Sequence, residues 1–141
     1  MKLKNYISGQ WIEGNGHEIP LYNAVNGELV AISDTSGLDF EEALHFGRTT
    51  GYKNLSSMTF YDRGEMLKKI ALYLLERKKK YYELSYKTGA THIDSWVDIE
   101  GGFGTFFTYS GLAKRMLPNT PFWVDGDTQK ISANGTHLGT H

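Results

Sequence analysis

The sequence predicts an α/β fold in which short strands come first and long helices follow. Three observations carry this reading. Residues 6–33 break into β-rich stretches separated by Gly-Asn-Gly and Asn-Gly turns. Residues 59–117 carry apolar stripes of helical period, opened at Thr59 and Thr91 by Thr-x-x-Asp capping signatures. The last twenty residues return to a polar, β-like pattern around Asn134-Gly135.

Residues 6–13 form the first expected strand, and Gly14-Asn15-Gly16 the tight turn after it. Residues 17–25 follow as a second strand. Asn26-Gly27 then leads into residues 28–33 as a third. Asn-Gly pairs tolerate the positive φ angles of a hairpin turn, so a three-stranded meander is expected. Pro20 lacks a backbone donor and suits an edge position.

Asp39 can cap the first helix, with Glu42 as its capping-box partner and Phe40, Ala43, Leu44 and Phe46 or Gly47 at helical spacing. Gly51, Asn54 and Ser56-Ser57 break that pattern. A stronger helix starts at Thr59, with Asp62 completing its box. Its apolar stripe is Met66, Leu67, Ile70, Ala71, Leu74 and Leu75. Gly64 costs this helix about 1 kcal/mol relative to alanine, so close packing is expected there. Helical character continues, with a kink, through Tyr82, Leu84 and Tyr86. It ends at Thr88-Gly89, where glycine can close the helix in the left-handed conformation.

The segment from Thr91 to Pro118 is the most informative. Thr91 caps a helix and Asp94 fills its third position; Asp98 and Glu100 suit the positive end of the dipole, and Lys114 and Arg115 the negative end. These placements account for the carboxylates without an acid–base role. Trp96, Ile99, Phe103 and Phe106 read as a core stripe. Val97, Gly101, Gly104, Thr105 and Thr108 share another face. Interior glycines weaken a helix, so a small-residue face needs a reason. Two are open: close helix packing, or a ligand passage along the helix.

Composition limits the function. Apolar residues make up 40% and aromatics 13%, which argues for a folded chain. A net charge of -1 leaves no basic stripe to displace the counterions of a nucleic acid. The run at residues 77–80 reads as a solvated helix face. No apolar stretch suits a signal peptide or a membrane span, so a cytoplasmic protein is expected. Cysteine is absent, which excludes a thiol nucleophile, disulfides and cysteine-held metals. His137 and His141 lack a third ligand, so no metal site is expected. Gly101-Gly102-Phe103-Gly104 has neither the preceding strand nor the Gly-Lys-Ser/Thr of a phosphate loop, and no Gly-x-Ser-x-Gly elbow is present.

The chain resembles the start of the aldehyde dehydrogenase superfamily. Tyr6-Ile7-Ser8-Gly9-Gln10-Trp11 is similar to its opening strand, and Asn23-Ala24-Val25-Asn26-Gly27-Glu28 to its Asn-Pro-x-x-Gly-Glu turn. Residues 63–76 resemble its Arg-x-x-x-Leu-x-x-x-Ala-x-x-Leu helix, and Tyr109-Ser110-Gly111-Leu112-Ala113 its Tyr-x-Gly-x-Ala helix. Within the superfamily, Met58-Thr59-Phe60 with Arg63, Thr88-Gly89-Ala90-Thr91, residues 94–102, Gly104-Thr105 and Phe107-Thr108-Tyr109 fit one subgroup. They resemble the dehydrogenase half of bifunctional ring-opening enzymes of phenylacetate degradation.

The resemblance implies an N-terminal fragment of a larger enzyme that uses NADP or NAD. Residues 1–121 would belong to its cofactor-binding domain and residues 122–141 to the start of a β-hairpin oligomerisation arm. The superfamily's cysteine nucleophile, glutamate base, oxyanion asparagine and dinucleotide-binding motif lie downstream of such a segment. No catalytic or cofactor-binding residue therefore carries over to this chain. Two structural roles do: Gly101, Gly104, Thr105 and Thr108 would border the substrate entrance, and Ile131, Ala133 and Leu138 would serve the arm in a homo-oligomer. The chain's end, in mid-pattern, reads as a cut. The segment alone is expected to bind no cofactor, oxidise no aldehyde, and be marginally stable or self-associated. The rivals are a stand-alone interaction or regulatory module retaining the scaffold, and a CoA- or anion-binding helical module built on Gly101-Gly102 and residues 77–80.

Overall fold

The computed structural model describes residues 1–124 and Gly126, with the backbone of strands at 129–132 and 135–137. The α/β class is borne out, but the strands are divided differently from the expected meander. The first stretch folds back on itself as β1 (Lys4–Ile7) and β2 (Gln10–Glu13), with Tyr6 opposite Trp11. Ser8 and Gly9, both at positive φ (49° and 84°), make that reversal. The next pair, β3 (Ile19–Tyr22) and β4 (Leu29–Ser33), is also antiparallel and closes over Gly27 at φ 74°. The Asn26-Gly27 turn is therefore where the sequence puts it.

Gly14-Asn15-Gly16 is not a hairpin turn. It is a connection laid against Asp34 and Ser36, and a β-carbon at Gly14 or Gly16 would collide with them. Asp34 is only 2% exposed, and its carboxylate accepts the N–H groups of Gly16 (3.0 Å) and Ser36 (2.8 Å). Lys2 Nζ lies 3.2 Å away. The three N-terminal residues run parallel beside β4 on the side away from β3, where Ile32 bonds Met1 and Leu3. Pro20 thus sits on β3, paired with β4 alone among the described strands, as an edge proline should.

Helix α1 (Phe40–Phe46) starts at Asp39, whose side chain accepts the Glu42 N–H; only that half of the expected box forms. Gly51 does not end the helical path. A wide turn over Gly47–Gly51 carries the chain into α2 (Tyr52–Ser56). Both later capping boxes form in full, Thr59 with Asp62 at the start of α3 (Phe60–Glu76) and Thr91 with Asp94 at the start of α5 (His92–Met116). Between them α4 (Lys78–Tyr86) follows a kink at Arg77, whose φ of -107° and ψ of 8° leave the helical region. Gly89, at φ 86°, turns the chain into α5.

α3 and α5 pack along each other. Gly64 meets Ala113 there, as its position predicts, and Glu65 pairs with Lys114. Among the described residues the buried apolar side chains are Ala31, Ala71, Phe103 and Ala113, a thin core of mostly small residues. The α3 stripe is half-buried rather than enclosed, with Ile70 on the surface. Antiparallel strands β5 (Gln129–Ser132) and β6 (Gly135–His137) form the expected terminal hairpin.

Candidate functional site

The long helix α5 positions every residue expected at the substrate entrance. Its capping box, in which the Thr91 hydroxyl accepts the Asp94 N–H while Asp94 accepts from Thr91, fixes where the helix begins and hence which residues share a face. The packing face is Ser95, Phe103, Ser110 and Ala113. Ser95 is fully buried and its hydroxyl meets Ser85 of α4 at 2.9 Å. Phe103 packs edge-on against Tyr81. Trp96, expected in the core stripe, is instead 55% exposed. It lies one position from buried Ser95, and a step of one residue turns the helix by about 100°.

Gly101, Gly104, Thr105 and Thr108 do share one exposed face. Close packing does not account for it among the described residues: a β-carbon added at Gly101 or Gly104 would meet none of their atoms within 4 Å. The two threonine hydroxyls donate back along the helix, Thr105 to the Gly101 carbonyl (3.0 Å) and Thr108 to the Gly104 carbonyl (2.9 Å). With those protons held internally, the face is low and smooth, without a free hydroxyl donor. It can leave width for a ligand but supplies no acid, base or nucleophile.

Sequence reasoning missed two polar centres. One is buried Asp34, whose carboxyl is held far below the usual carboxylate range by the N–H groups of Ser36 and Gly16 and by Lys2, against the opposing effect of burial. Its Asp-x-Ser spacing is the local signal for such a turn, since Asp34 bonds the N–H two residues on. The other joins α4 to α5. Glu100 accepts from Lys78 Nζ at 2.8 Å and from the Tyr82 hydroxyl at 3.2 Å. Lys78 holds the Glu100 carboxyl low, and Glu100 in turn raises Lys78. The basic run is therefore only partly a solvated face: Lys78 is paired, and Arg77 stacks 3.6 Å over the Tyr73 ring. Lys79 and Lys80 remain exposed.

Neither the glycine run nor the start of either long helix fits a dinucleotide. Gly101-Gly102-Phe103-Gly104 lies inside α5, not in a loop. The N-termini of α3 and α5 are already occupied by Asp62 and Asp94, whose charges would repel a pyrophosphate. Among the described residues no cluster of ligands suits a metal ion, and no helix is long and apolar enough to cross a membrane. Of the arm residues, Ile131 lies on β5, whereas Ala133 and Leu138 fall outside the described residues, as does His141.

The sequence pattern of the aldehyde dehydrogenase family matches residues 11–134. The chain belongs to that family. Among curated relatives, the 3,4-dehydroadipyl-CoA semialdehyde dehydrogenase of Aromatoleum evansii is 36% identical over 82% of this chain and 23% of its own length. A malonate-semialdehyde dehydrogenase of Bacillus cereus (strain AH187) is 25% identical over 89% of the chain and 27% of its own length. The chain thus spans about a quarter of the length of the curated relatives it matches. The fold agrees with solved structures. A 3,6-anhydro-L-galactose dehydrogenase in complex with NAP superposes at a TM-score of 0.78, with 23% identity over 98% of this chain and 28% of the other. An NAD-dependent benzaldehyde dehydrogenase from Corynebacterium glutamicum gives 0.74, with 19% identity over 94% and 28%.

Proposed function

We propose that this chain is the N-terminal part of an NAD(P)-dependent aldehyde dehydrogenase that oxidises a CoA-linked semialdehyde in phenylacetate degradation. Its role there is to frame the substrate's approach, and the chemistry belongs to residues outside these 141. One observation carries the proposal: α5 exposes Gly101, Gly104, Thr105 and Thr108 as one small-residue face that no described residue covers. Helical glycine is a standing loss of about 1 kcal/mol per residue, so an open small-residue face is retained for something supplied from outside the described residues. The CoA-semialdehyde dehydrogenase among the relatives, with its 36% identity, supports a bulky CoA-linked aldehyde as the occupant.

The chain contains no cysteine, so it cannot supply a thiolate to attack an aldehyde. NADP or NAD would be held by the rest of the enzyme. Residues 1–121 are assigned to the cofactor-binding domain and 122–141 to the oligomerisation arm, through which a cytoplasmic homo-oligomer would pair using Ile131, Ala133 and Leu138.

The test is steady-state NAD(P)H formation by the enzyme containing this segment. A CoA-linked semialdehyde should exceed the matching free semialdehyde in kcat/KM by about tenfold or more, the gain that about 1.4 kcal/mol of differential binding supplies. Equal values would defeat the CoA assignment. Aldehyde turnover by the 141-residue chain alone would defeat the framing role.

A further inference from the structure

We propose that the groove between α4 and the start of α5 is a stacking subsite for the adenine ring of a CoA-linked substrate, with Trp96 as one wall. The proposal rests on the CoA reading above and deepens it, by saying where the non-reacting end of such a substrate is held.

The groove, about 490 Å³, lies between two i, i+4 aromatic pairs, Tyr82 and Tyr86 on α4 and His92 and Trp96 on α5. Three of the rings already form a cluster. Tyr82 and His92 are 5.5 Å apart between centroids, Tyr82 and Tyr86 6.1 Å, and Tyr86 and His92 6.5 Å. The Tyr86 hydroxyl and His92 Nδ1, 2.9 Å apart, hold that cluster in place. Trp96 stacks on no ring among the described residues and stands 55% exposed at the groove. A large indole left half in water beside a fixed aromatic cluster is a platform without its second layer.

The charges decide what kind of ligand fits. Glu100 is neutralised by Lys78 and also bonded by Tyr82, so the floor of the groove carries a closed pair. At the rim Lys79 and Glu83 stand one helical turn apart with opposite signs. The lining is therefore balanced, and it neither selects a phosphate nor repels a neutral ring. What it offers is π-surface, which takes a purine by its face. The thioester end of the same substrate then has a path along α5. Gly104 lies eight residues beyond Trp96, about 12 Å along the axis.

The enzyme containing this segment supplies the test, with the CoA-linked and free semialdehydes compared side by side. Trp96→Ala should raise KM for the CoA-linked substrate by roughly 5- to 150-fold, the range for losing one base–aromatic stack. It should leave kcat and the free aldehyde unchanged, while Trp96→Phe restores most of the loss. Leu84→Ala, on α4 outside the groove, is the control and should change none of these values. At saturating NAD(P), adenosine should compete with the CoA-linked substrate, whereas pantetheine and inorganic pyrophosphate should not. A melt of each variant, with the free-aldehyde rate, separates misfolding from lost binding. If the enzyme prefers CoA-linked substrate but Trp96→Ala leaves KM unaltered, the groove assignment is overturned and the CoA reading stands. If the enzyme is indifferent to CoA, both fall. Competition by pyrophosphate as strong as by adenosine would also overturn stacking.

Discussion

Gly64 on α3 faces Ala113 on α5 so closely that a β-carbon at position 64 would stand 2.9 Å from the alanine methyl carbon and 3.2 Å from the Ser110 carbonyl oxygen. This approach sets the spacing of the two longest helices and therefore the position of everything α5 carries.

Gly64→Ala is expected to destabilise the protein by about 1–3 kcal/mol, the usual effect of overpacking, although alanine is the better helix former. Neither the alanine methyl nor the backbone carbonyl can swing away as a long side chain would. Adding Ala113→Gly should recover part of the loss, because it removes the methyl in the way. Denaturant melts of the two single variants and the double variant give the coupling directly. A Gly64→Ala protein as stable as the parent would show that the helices can slide apart at no cost.

Asp34 predicts acid sensitivity. Its folded-state pKa is depressed well below the ordinary value of 3.8, so its contribution to stability is complete above 3.8, shrinks as pH falls below it and is gone once pH has fallen through the folded value. Lys2, raised above 10.5, behaves in the opposite sense and loses its contribution as pH rises beyond that value. Asp34→Asn should lower Tm at pH 7 by several degrees and flatten the decline in Tm between pH 5 and pH 2 (both about). Some acid dependence should survive, since Asp62, Glu65, Asp94 and Glu100 are also held low by their partners. An Asp34→Asn protein with the parent's pH–Tm curve would contradict this.

The small-residue face of α5 gives a prediction in which stability and activity part company. Gly101→Ala and Gly104→Ala meet no neighbour within 4 Å, so each should stabilise the segment, by up to about 1 kcal/mol. A larger side chain at the same place, Gly104→Leu, should raise KM for the CoA-linked semialdehyde without lowering Tm. If Gly104→Leu leaves KM unchanged, this face does not border the substrate.

Much of this was legible in residue order. Thr59 with Asp62 and Thr91 with Asp94 mark helix starts because a capping box is completed within four residues. Gly27 and Gly89 mark turns because only the left-handed conformation closes them. The strand boundary at Ser8-Gly9 was not legible, since Tyr6 through Glu13 alternates no differently on either side of a reversal. The helix past Gly51 escaped for a related reason: the wide turn absorbs glycine by widening the helix rather than ending it. The shared face of Gly101, Gly104, Thr105 and Thr108 followed from helical period alone. Whether another helix filled it did not.

The sequence by itself determined the two long helices with their threonine caps, the absence of a sulfur nucleophile in these 141 residues and the family, because each depends on residue identity or on neighbours a few positions apart. Only the tertiary structure decided that Asp34 is buried and bonded, that Glu100 is answered by Lys78 and Tyr82, that Trp96 faces water and that the glycine face stays open. Those outcomes depend on which distant segments come within a few ångströms of one another. That is set by the sum of all the packing, not by any local run of residues.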